Sequence, residues 1–296
     1  MFTHVGLVVN PEKPRIFEIA SRIAGWLSER GAQVFALPAA AHQVTSCRAL
    51  TLQEMRQTVN LVITLGGDGT LFRAARQFAP FDIPLIGINL GGLGFLTEIP
   101  LTEFEAGLSD ILEQHYRIEK RLMLETAVRR KGTEVKRLMC LNDVVIGKCA
   151  LPRIIALKTF VNDELITTYS ADGLIISTAT GSTAYSLSAG GPVVHPSLNV
   201  FIVSPICAHT LAVRPVILRP DQRVKVILEP PAPEVLLTID GQEAFPLQEK
   251  DIITVHRAPC QTSLVRLHRT TFFTVLRTKL GWRGVSYKNL RHEAHP

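Results

Sequence analysis

The stretch Asn60-Leu61-Val62-Ile63-Thr64-Leu65-Gly66-Gly67-Asp68-Gly69-Thr70-Leu71-Phe72-Arg73-Ala74-Ala75-Arg76 passes from an apolar run through a glycine turn into a helix-forming segment. Strand, turn, helix is the expected order. Three glycines around one carboxylate let the backbone approach a bound group, and the free N–H groups opening the next helix attract an anion. A phosphate fits such a turn. Asp68, the one acidic side chain inside it, would repel phosphate unless it took a proton from a reacting hydroxyl or met a metal ion. Asp68 is therefore a candidate for chemistry, while a plain turn with a helix N-cap stays open as the alternative.

Upstream, the nearly all-apolar Val5 to Val9, ended by Asn10-Pro11, reads as a strand buried on both faces. From Pro14 on, Ile16, Ile19, Ala20, Ile23, Ala24 and Leu27 follow helical spacing up to Gly31. Gln33 to Leu37 reads as the next strand and Thr51 to Gln57 as a polar helical piece. Downstream, the helix Leu71 to Phe78 is followed by the buried strand Pro84 to Ile88. That strand enters a second glycine turn, Asn89-Leu90-Gly91-Gly92-Leu93-Gly94-Phe95-Leu96, and Thr102 to His115 reads as a closing amphipathic helix. Strands alternating with helices predict an α/β domain with a doubly wound parallel sheet and ligands at the carboxyl ends of its strands. Two glycine turns at one edge could cradle a pyrophosphate through backbone donors.

From about residue 120 the texture becomes β-rich: Leu124 to Arg130, Arg137 to Val145, Ile154 to Val161 and Leu165 to Tyr169. Ile175 to Thr178 then leads into Ala179-Thr180-Gly181-Ser182-Thr183-Ala184-Tyr185-Ser186-Leu187-Ser188-Ala189-Gly190-Gly191-Pro192. Such a run has too little bulk for a core, and a short helix or turn lining a polar site accounts for its donors. Further strands are expected at Val200 to Ser204, Arg214 to Leu218, Val224 to Leu228, Val235 to Ile239 and Ile252 to His256. The expected organisation is an α/β domain at 1–119, an all-β C-terminal domain at 120–262, and a segment 263–296 that packs back on the first domain and ends in a frayed basic tail.

The 296 residues carry a net charge of +6, which favours anionic partners. Two Trp and four Tyr leave little for base stacking, and no helix carries a basic stripe, so nucleic acid is not expected as a partner. Neither is a membrane, because no stretch of about 18 uninterrupted apolar residues occurs. The N-terminus lacks a basic leader and long apolar segment, so the chain is expected to be cytoplasmic. The five cysteines have no paired metal or redox spacing and read as thiols in a reducing compartment. His195 and His209 lack a partner motif and read as structural.

With these pieces placed, the chain resembles the bacterial NAD kinase family from about Val5 to Trp282. Four blocks carry the resemblance: Gly66 to Thr70, Asn142-Asp143, Asp172-Gly173 with Thr178 to Tyr185, and Asp240-Gly241-Gln242. The first block is shared with diacylglycerol, sphingosine and 6-phosphofructokinase relatives, whereas the third is specific to NAD kinases. The resemblance implies transfer of the terminal phosphoryl group of ATP, or of polyphosphate, to the 2′-hydroxyl of the adenosine ribose of NAD. It implies that Asp68 is the proton acceptor, that Gly69 and Arg73 lie near phosphates, and that Asn142 and Asp143 hold ribose hydroxyls. It carries over Arg153, Ser170, Asp172, Thr183, Ala184, Tyr185, Ser186, Leu187, Ser188 and Gln242 as positions lining the rest of the NAD site. Ser170, often arginine or glycine in the family, bears on NAD against NADH, and Ala179 stands where proline is usual. A divalent cation such as Mg²⁺ would accompany the nucleotide, with no dedicated metal cluster on the protein. A homo-oligomer, tetramer or dimer, is also implied. A lipid or sugar kinase, or a silent NAD sensor, is the competing reading.

Overall fold

The computed structural model describes residues 2–92, 94–148, 154–210, 212–232, 234–267 and 271–282. The expectations for Arg153, Leu93, Cys149 and the tail beyond Trp282 lie outside the described residues.

The first part of the chain runs β1 (His4–Val9), α1 (Ile16–Ser28), β2 (Gln33–Ala36), α2 (Pro38–Ala41), β3 (Arg48–Ala49), α3 (Leu52–Thr58), β4 (Leu61–Gly66), α4 (Asp68–Phe78), β5 (Leu85–Asn89), β6 (Ile99–Pro100) and α5 (Phe104–Leu112). All these strands pair in parallel, in the order β3-β2-β1-β4-β5-β6. The sheet is buried on both faces, which is why its strands are nearly all apolar. Val5, Leu7 and Val9 point into the core under α1 and α5, while Val8 joins the opposite core under α3 and α4. Gly6 lies under α3, where a Cβ would come within 2.8 Å of the Met55 Cε. α4 buries Leu71, Ala74, Ala75 and Phe78, and each large apolar side chain so buried contributes about 1.5–3 kcal/mol. The chain moves outward from β1 through β2 and β3, then returns to β4 on the other side of β1. The reversal puts a topological switch point between the carboxyl ends of β1 and β4, the place where such sheets open a ligand crevice.

The second part contains β7 (Tyr116–Arg130), β8 (Thr133–Cys140), β9 (Asp143–Lys148), β10 (Ile155–Val161), β11 (Glu164–Ala171), β12 (Gly173–Thr178), α6 (Tyr185–Ser188), β13 (Phe201–Ile206), β14 (Val216–Leu218), β15 (Val224–Glu229), β16 (Val235–Ile239), β17 (Glu243–Pro246), β18 (Ile252–Leu267) and α7 (Phe272–Leu280). An antiparallel sheet ordered β14-β13-β12-β9-β16-β17 faces the antiparallel portion of the large sheet across one apolar core. The long strands β7 and β18 pair from Ile252↔Arg129 to Leu267↔Tyr116, and Leu264 of β18 also pairs in parallel with Leu85 of β5. One sheet therefore runs through both parts, and residues 120 and 262 fall inside strands.

Several expected elements differ in extent, and the strand expected from Leu124 to Arg130 already begins at Tyr116 as β7. Ile252 to His256 is only the start of β18, which passes a register shift between Arg257 and Gln261 and ends with Val265 and Leu267 in the first domain's core. The expected strand Arg137 to Val145 is two strands, interrupted at Leu141-Asn142. There the Asp240 carboxylate accepts the backbone N–H groups of Leu141 and Asn142, which takes both out of a regular ladder.

Candidate active site

Asp68 is the first residue of α4 and Gly67 its cap, so the Asp68 side chain does not cap its own helix. Its carboxylate reaches across to the second glycine turn. Oδ2 accepts the Phe95 N–H at 2.8 Å, and Oδ1 accepts those of Leu96 and Thr97 at 3.1 Å each. A carboxylate offers about four acceptor sites, so three are filled and one direction on Oδ2 is left. The two turns interlock closely, since a Cβ on Gly94 would lie 2.3 Å from Asp68 Oδ1. Asn89 ties the second turn from within, accepting the Gly91 N–H at 2.9 Å and donating to Thr97 Oγ1 at 3.0 Å.

That turn is also held from behind. Arg266 donates to the Leu96 carbonyl at 3.2 Å and pairs with Glu98 at 2.7 Å, both side chains being buried. Arg266 also approaches Glu119 at 3.7 Å, and the buried Arg121 donates to Glu119 and, at 3.2 Å, to Thr180 Oγ1. Burial pushes the Glu98 carboxyl up, against the pull of Arg266. Through these four side chains the loop under Asp68 is braced against the small-residue turn at Thr180.

α4 contributes to two cavities, although Asp68 itself lines neither. One, of about 600 Å³, is lined by Asn10, Lys13, Gly67, Gly69, Thr70, Arg73, Arg76 and Gln242, together with the carboxylates Glu12 and Glu243. Its basic side chains and the helix N-terminus make it a site for an anion. The other, of about 370 Å³, is lined by Phe72, Asn142, Asp143, Val145, Ala184, Tyr185, Thr238, Asp240 and Gly241. Phe72 is one turn beyond Asp68 on the same side of α4, and Arg73 is one turn beyond Gly69.

Between the cavities the two parts of the protein are joined by a polar clasp. Arg76 Nη1 lies 2.8 Å from the fully buried Asp240 Oδ2, and Arg76 Nη2 donates to Gln242 Oε1 at 2.9 Å. Gln242 Nε2 in turn donates to the Gly69 carbonyl at 2.6 Å. Burial pushes Asp240 up, while Arg76 and the Asn142 and Leu141 amides pull it back. Asn142 is buried with its Oδ1 unpartnered, an acceptor suited to a ligand hydroxyl or amine. Burial first, and the Asp240 carboxylate second, push Asp143 up to about 7.

The sign of that shift gives a stability test. Folded Asp143 holds its proton more tightly than the unfolded chain does, so its contribution favours folding at low pH. It is lost as pH rises from the ordinary carboxylate range through about 7. Asp143→Asn cannot ionise, so melting curves from about pH 5 to about pH 8 should fall more steeply for the wild type than for the variant. Parallel profiles would contradict the assignment.

The structure thus gathers Asn142, Asp143, Ala184 and Tyr185 around one cavity and Gly69, Arg73 and Gln242 around the other. Thr183 ends the 3₁₀ turn Thr180–Thr183, and its Oγ1 donates to the Thr180 carbonyl. Ser186 is fully buried and shares a 3.1 Å hydrogen bond with Ser204 Oγ, bracing α6, while Leu187 and Ser188 complete that short helix. Ser170 lies in β11 and its carbonyl accepts the His209 N–H, while Asp172, beside it, pairs with Lys148. His195 bonds Ser197 and packs against Phe272 and Phe273. Burial pushes the Cys47 thiol up to about 11 and raises Cys140 and Cys260 as well. Arg76 and Phe72 carry no motif of their own in the sequence, and Asp240 stands there only as the head of the fourth block, without a role.

Residues 5–116 match the ATP-NAD kinase N-terminal domain family and residues 141–267 the ATP-NAD kinase C-terminal domain family. The chain is 42% identical over 278 residues to the NAD kinase of Geotalea daltonii, covering 94% of this chain and 98% of that one. It is 45% identical over 278 residues to the NAD kinase of Moorella thermoacetica, covering 93% and 88%. Among solved structures it resembles yeast NADH kinase complexed with NADH, with a TM-score of 0.85 and 25% identity over 95% of this chain and 88% of that one. It shares the fold of an NAD kinase from Archaeoglobus fulgidus in complex with ATP, at a TM-score of 0.73 and 22% identity over 94% and 97%. Among the described residues no helix is long and apolar enough to cross a membrane.

Proposed function

The chain belongs to the ATP-NAD kinase family, an ATP-dependent phosphotransferase family, and from that premise we propose how its own residues move the phosphoryl group from ATP to NAD. The observation that carries the reading is the Asp68 carboxylate, three-quarters filled by backbone amides at the start of α4, the helix that contributes Gly69, Arg73 and Arg76 to one cavity and Phe72 to the other. The adenosine of NAD occupies the cavity of Asn142, Asp143 and Tyr185, and its 2′-hydroxyl takes the free acceptor site of Asp68 Oδ2. The unpartnered Asn142 Oδ1 supports this placement, because a ribose hydroxyl is a donor of the right kind. The phosphates of ATP occupy the basic cavity of Lys13, Arg73 and Arg76, with the backbone of Gly67 to Thr70 beneath them.

A carboxylate is a far weaker base than a ribose alkoxide, so Asp68 accepts the proton only as the new oxygen–phosphorus bond forms. Because phosphoryl transfer passes through a loose transition state, alignment and charge neutralisation matter more than base strength. The three amides fix the carboxylate for that alignment. Glu12 and Glu243, which line the basic cavity, are the carboxylates that would help hold Mg²⁺ or another divalent cation accompanying the donor's phosphates, and the cation would neutralise charge there. The same family membership supports a homo-oligomer, dimer or tetramer. Tyr185, 47% exposed in the single chain, is where a second copy would close the NAD site.

The interlocked turns give the test of this placement. Gly94→Ala forces a Cβ against Asp68 Oδ1 and should lower turnover by about 10-fold or more, since misalignment near 1 Å carries such losses. NADP formation from ATP and NAD, followed by a coupled NADP-specific dehydrogenase, measures it. Wild-type turnover in a folded Gly94→Ala protein would contradict the role given to this contact.

A further inference from the structure

A cavity of about 350 Å³ lies behind the second glycine turn and shares no lining residue with the two cavities of the candidate active site. Arg117, Glu119 and Arg121, alternate residues of β7, line it together with Arg266 of β18, and His195, Phe272 and Phe273 supply an aromatic side. We infer that this cavity binds a small carboxylic acid carrying a ring, and that the bound acid firms the loop that holds Asp68.

The balance of charge favours an anion. Arg266 stands directly opposite Arg117 in the ladder of β7 and β18, and like charges so placed are destabilising. Three guanidinium groups share two carboxylates: Glu119, at 2.5 Å from Arg121, 3.5 Å from Arg117 and 3.7 Å from Arg266, and Glu98, at 2.7 Å from Arg266. One positive charge is left over among these side chains. Arg121 and Arg266 are buried, where an uncompensated charge is costly. Burial pushes Arg121 down to about 10 against the pull of Glu119, and Arg266 and Arg117 push the same way. A monocarboxylate supplies the missing charge, and its two oxygens match the fork of a guanidinium. The N-terminus of the nine-residue α7, which opens at Phe272 in the cavity wall, adds to the attraction.

The aromatic side selects the rest of the ligand. His195, Phe272 and Phe273 pack with ring centroids 5.0 to 5.7 Å apart, and Phe273 is 60% exposed, so an entering ring joins an existing cluster. The volume is that of a small-molecule site rather than of a bare ion. Arg266 carries the effect to the reaction site. It donates to the Leu96 carbonyl, and the Leu96 N–H is one of the three that Asp68 accepts. Neutralising the leftover charge relieves the repulsion between Arg117 and Arg266, which leaves Arg266 more firmly on that loop.

The test uses the full-length protein and two readouts that need no phosphoryl transfer, so its outcome is independent of the kinase reading. Calorimetry compares phenylacetate with acetate, which has the charge alone, and with benzyl alcohol, which has the ring alone. Phenylacetate should bind at least ~10-fold more tightly than either. It should also slow hydrogen exchange at the Phe95, Leu96 and Thr97 amides. Arg117→Gln and Phe273→Ala alter exposed side chains and should each weaken phenylacetate binding at least ~5-fold. Equal affinity for phenylacetate and acetate overturns the inference, as does unchanged exchange at the three amides. So does wild-type affinity in either variant, once circular dichroism shows it folded. Loss of phenylacetate binding on saturation with NAD would place the acid in the reaction site and overturn it as well.

Discussion

Asp68→Asn is expected to lower the rate of NADP formation by at least ~100-fold, the lower end for loss of a general base. The amide has the size of the carboxylate but cannot take the proton of the ribose hydroxyl. It also replaces one of two acceptor oxygens with an NH₂ that would face the Phe95 N–H or the Leu96 and Thr97 N–H groups. The variant should therefore lose turnover and some order in the second glycine turn while α4, anchored by Leu71, Ala74, Ala75 and Phe78, keeps the fold. NAD binding measured calorimetrically separates the two contributions. Loss of turnover with retained NAD affinity is the signature of a lost base, whereas a parallel loss of affinity would place Asp68 in binding alone.

The largest expected effect on stability is at the clasp. Arg76→Met leaves the Asp240 carboxylate buried beside Asp143 with only backbone amides for partners. Removing one member of a buried pair costs about 3–5 kcal/mol, and the Arg76 side chain, 15% exposed against 0% for Asp240, belongs to that class. The remedy for an unpaired buried carboxylate is a proton, so the loss should shrink as the pH is lowered. Asp240→Asn added to Arg76→Met should recover part of the stability because no charge is left to desolvate. Denaturant unfolding of the two single variants and the double variant measures the coupling. Additive losses would mean that the pair contributes no more than two exposed side chains would.

The path to Asp68 was legible because it is written locally. An apolar run, three glycines, one carboxylate and a helical pattern all lie between Asn60 and Arg76, and the doubly wound sheet follows from the alternation on either side. Contacts closed by distant residues were not legible in the same way. Arg76 and Asp240 are separated by 164 positions, and no local pattern distinguishes an arginine that will be buried from one on a solvated helix face. The three amides on Asp68 come from residues that read only as a glycine turn, because backbone donors have no letter in a sequence. Ser186 illustrates the reverse case. It sits in a run of hydroxyl residues suited to a polar site, yet its side chain faces Ser204 in the interior, a choice set by how four residues of helix pack on the sheet. The length of β18 was hidden by Pro259 within it, since proline lacks a ladder donor; the strand tolerates it at the register shift between Arg257 and Gln261.

The braces behind the site suggest why its parts lie so far apart in the chain. Arg266 and Glu98 hold the loop that holds Asp68, and Arg121 joins the same group of charges to the turn at Thr180. The loop that holds Asp68 and the turn at Thr180 thus share one group of charged side chains on the paired strands β7 and β18.

The most direct measurement is the position of the transferred phosphate. ATP and NAD are incubated with the wild-type protein and with Asp68→Asn, and the products are examined by ³¹P and ¹H nuclear magnetic resonance. The account predicts one product from the wild type, phosphorylated on the 2′-oxygen of the adenosine ribose, and almost none from the variant over the same time. A phosphate on any other oxygen, or the 2′-product formed by Asp68→Asn at the wild-type rate, would contradict it.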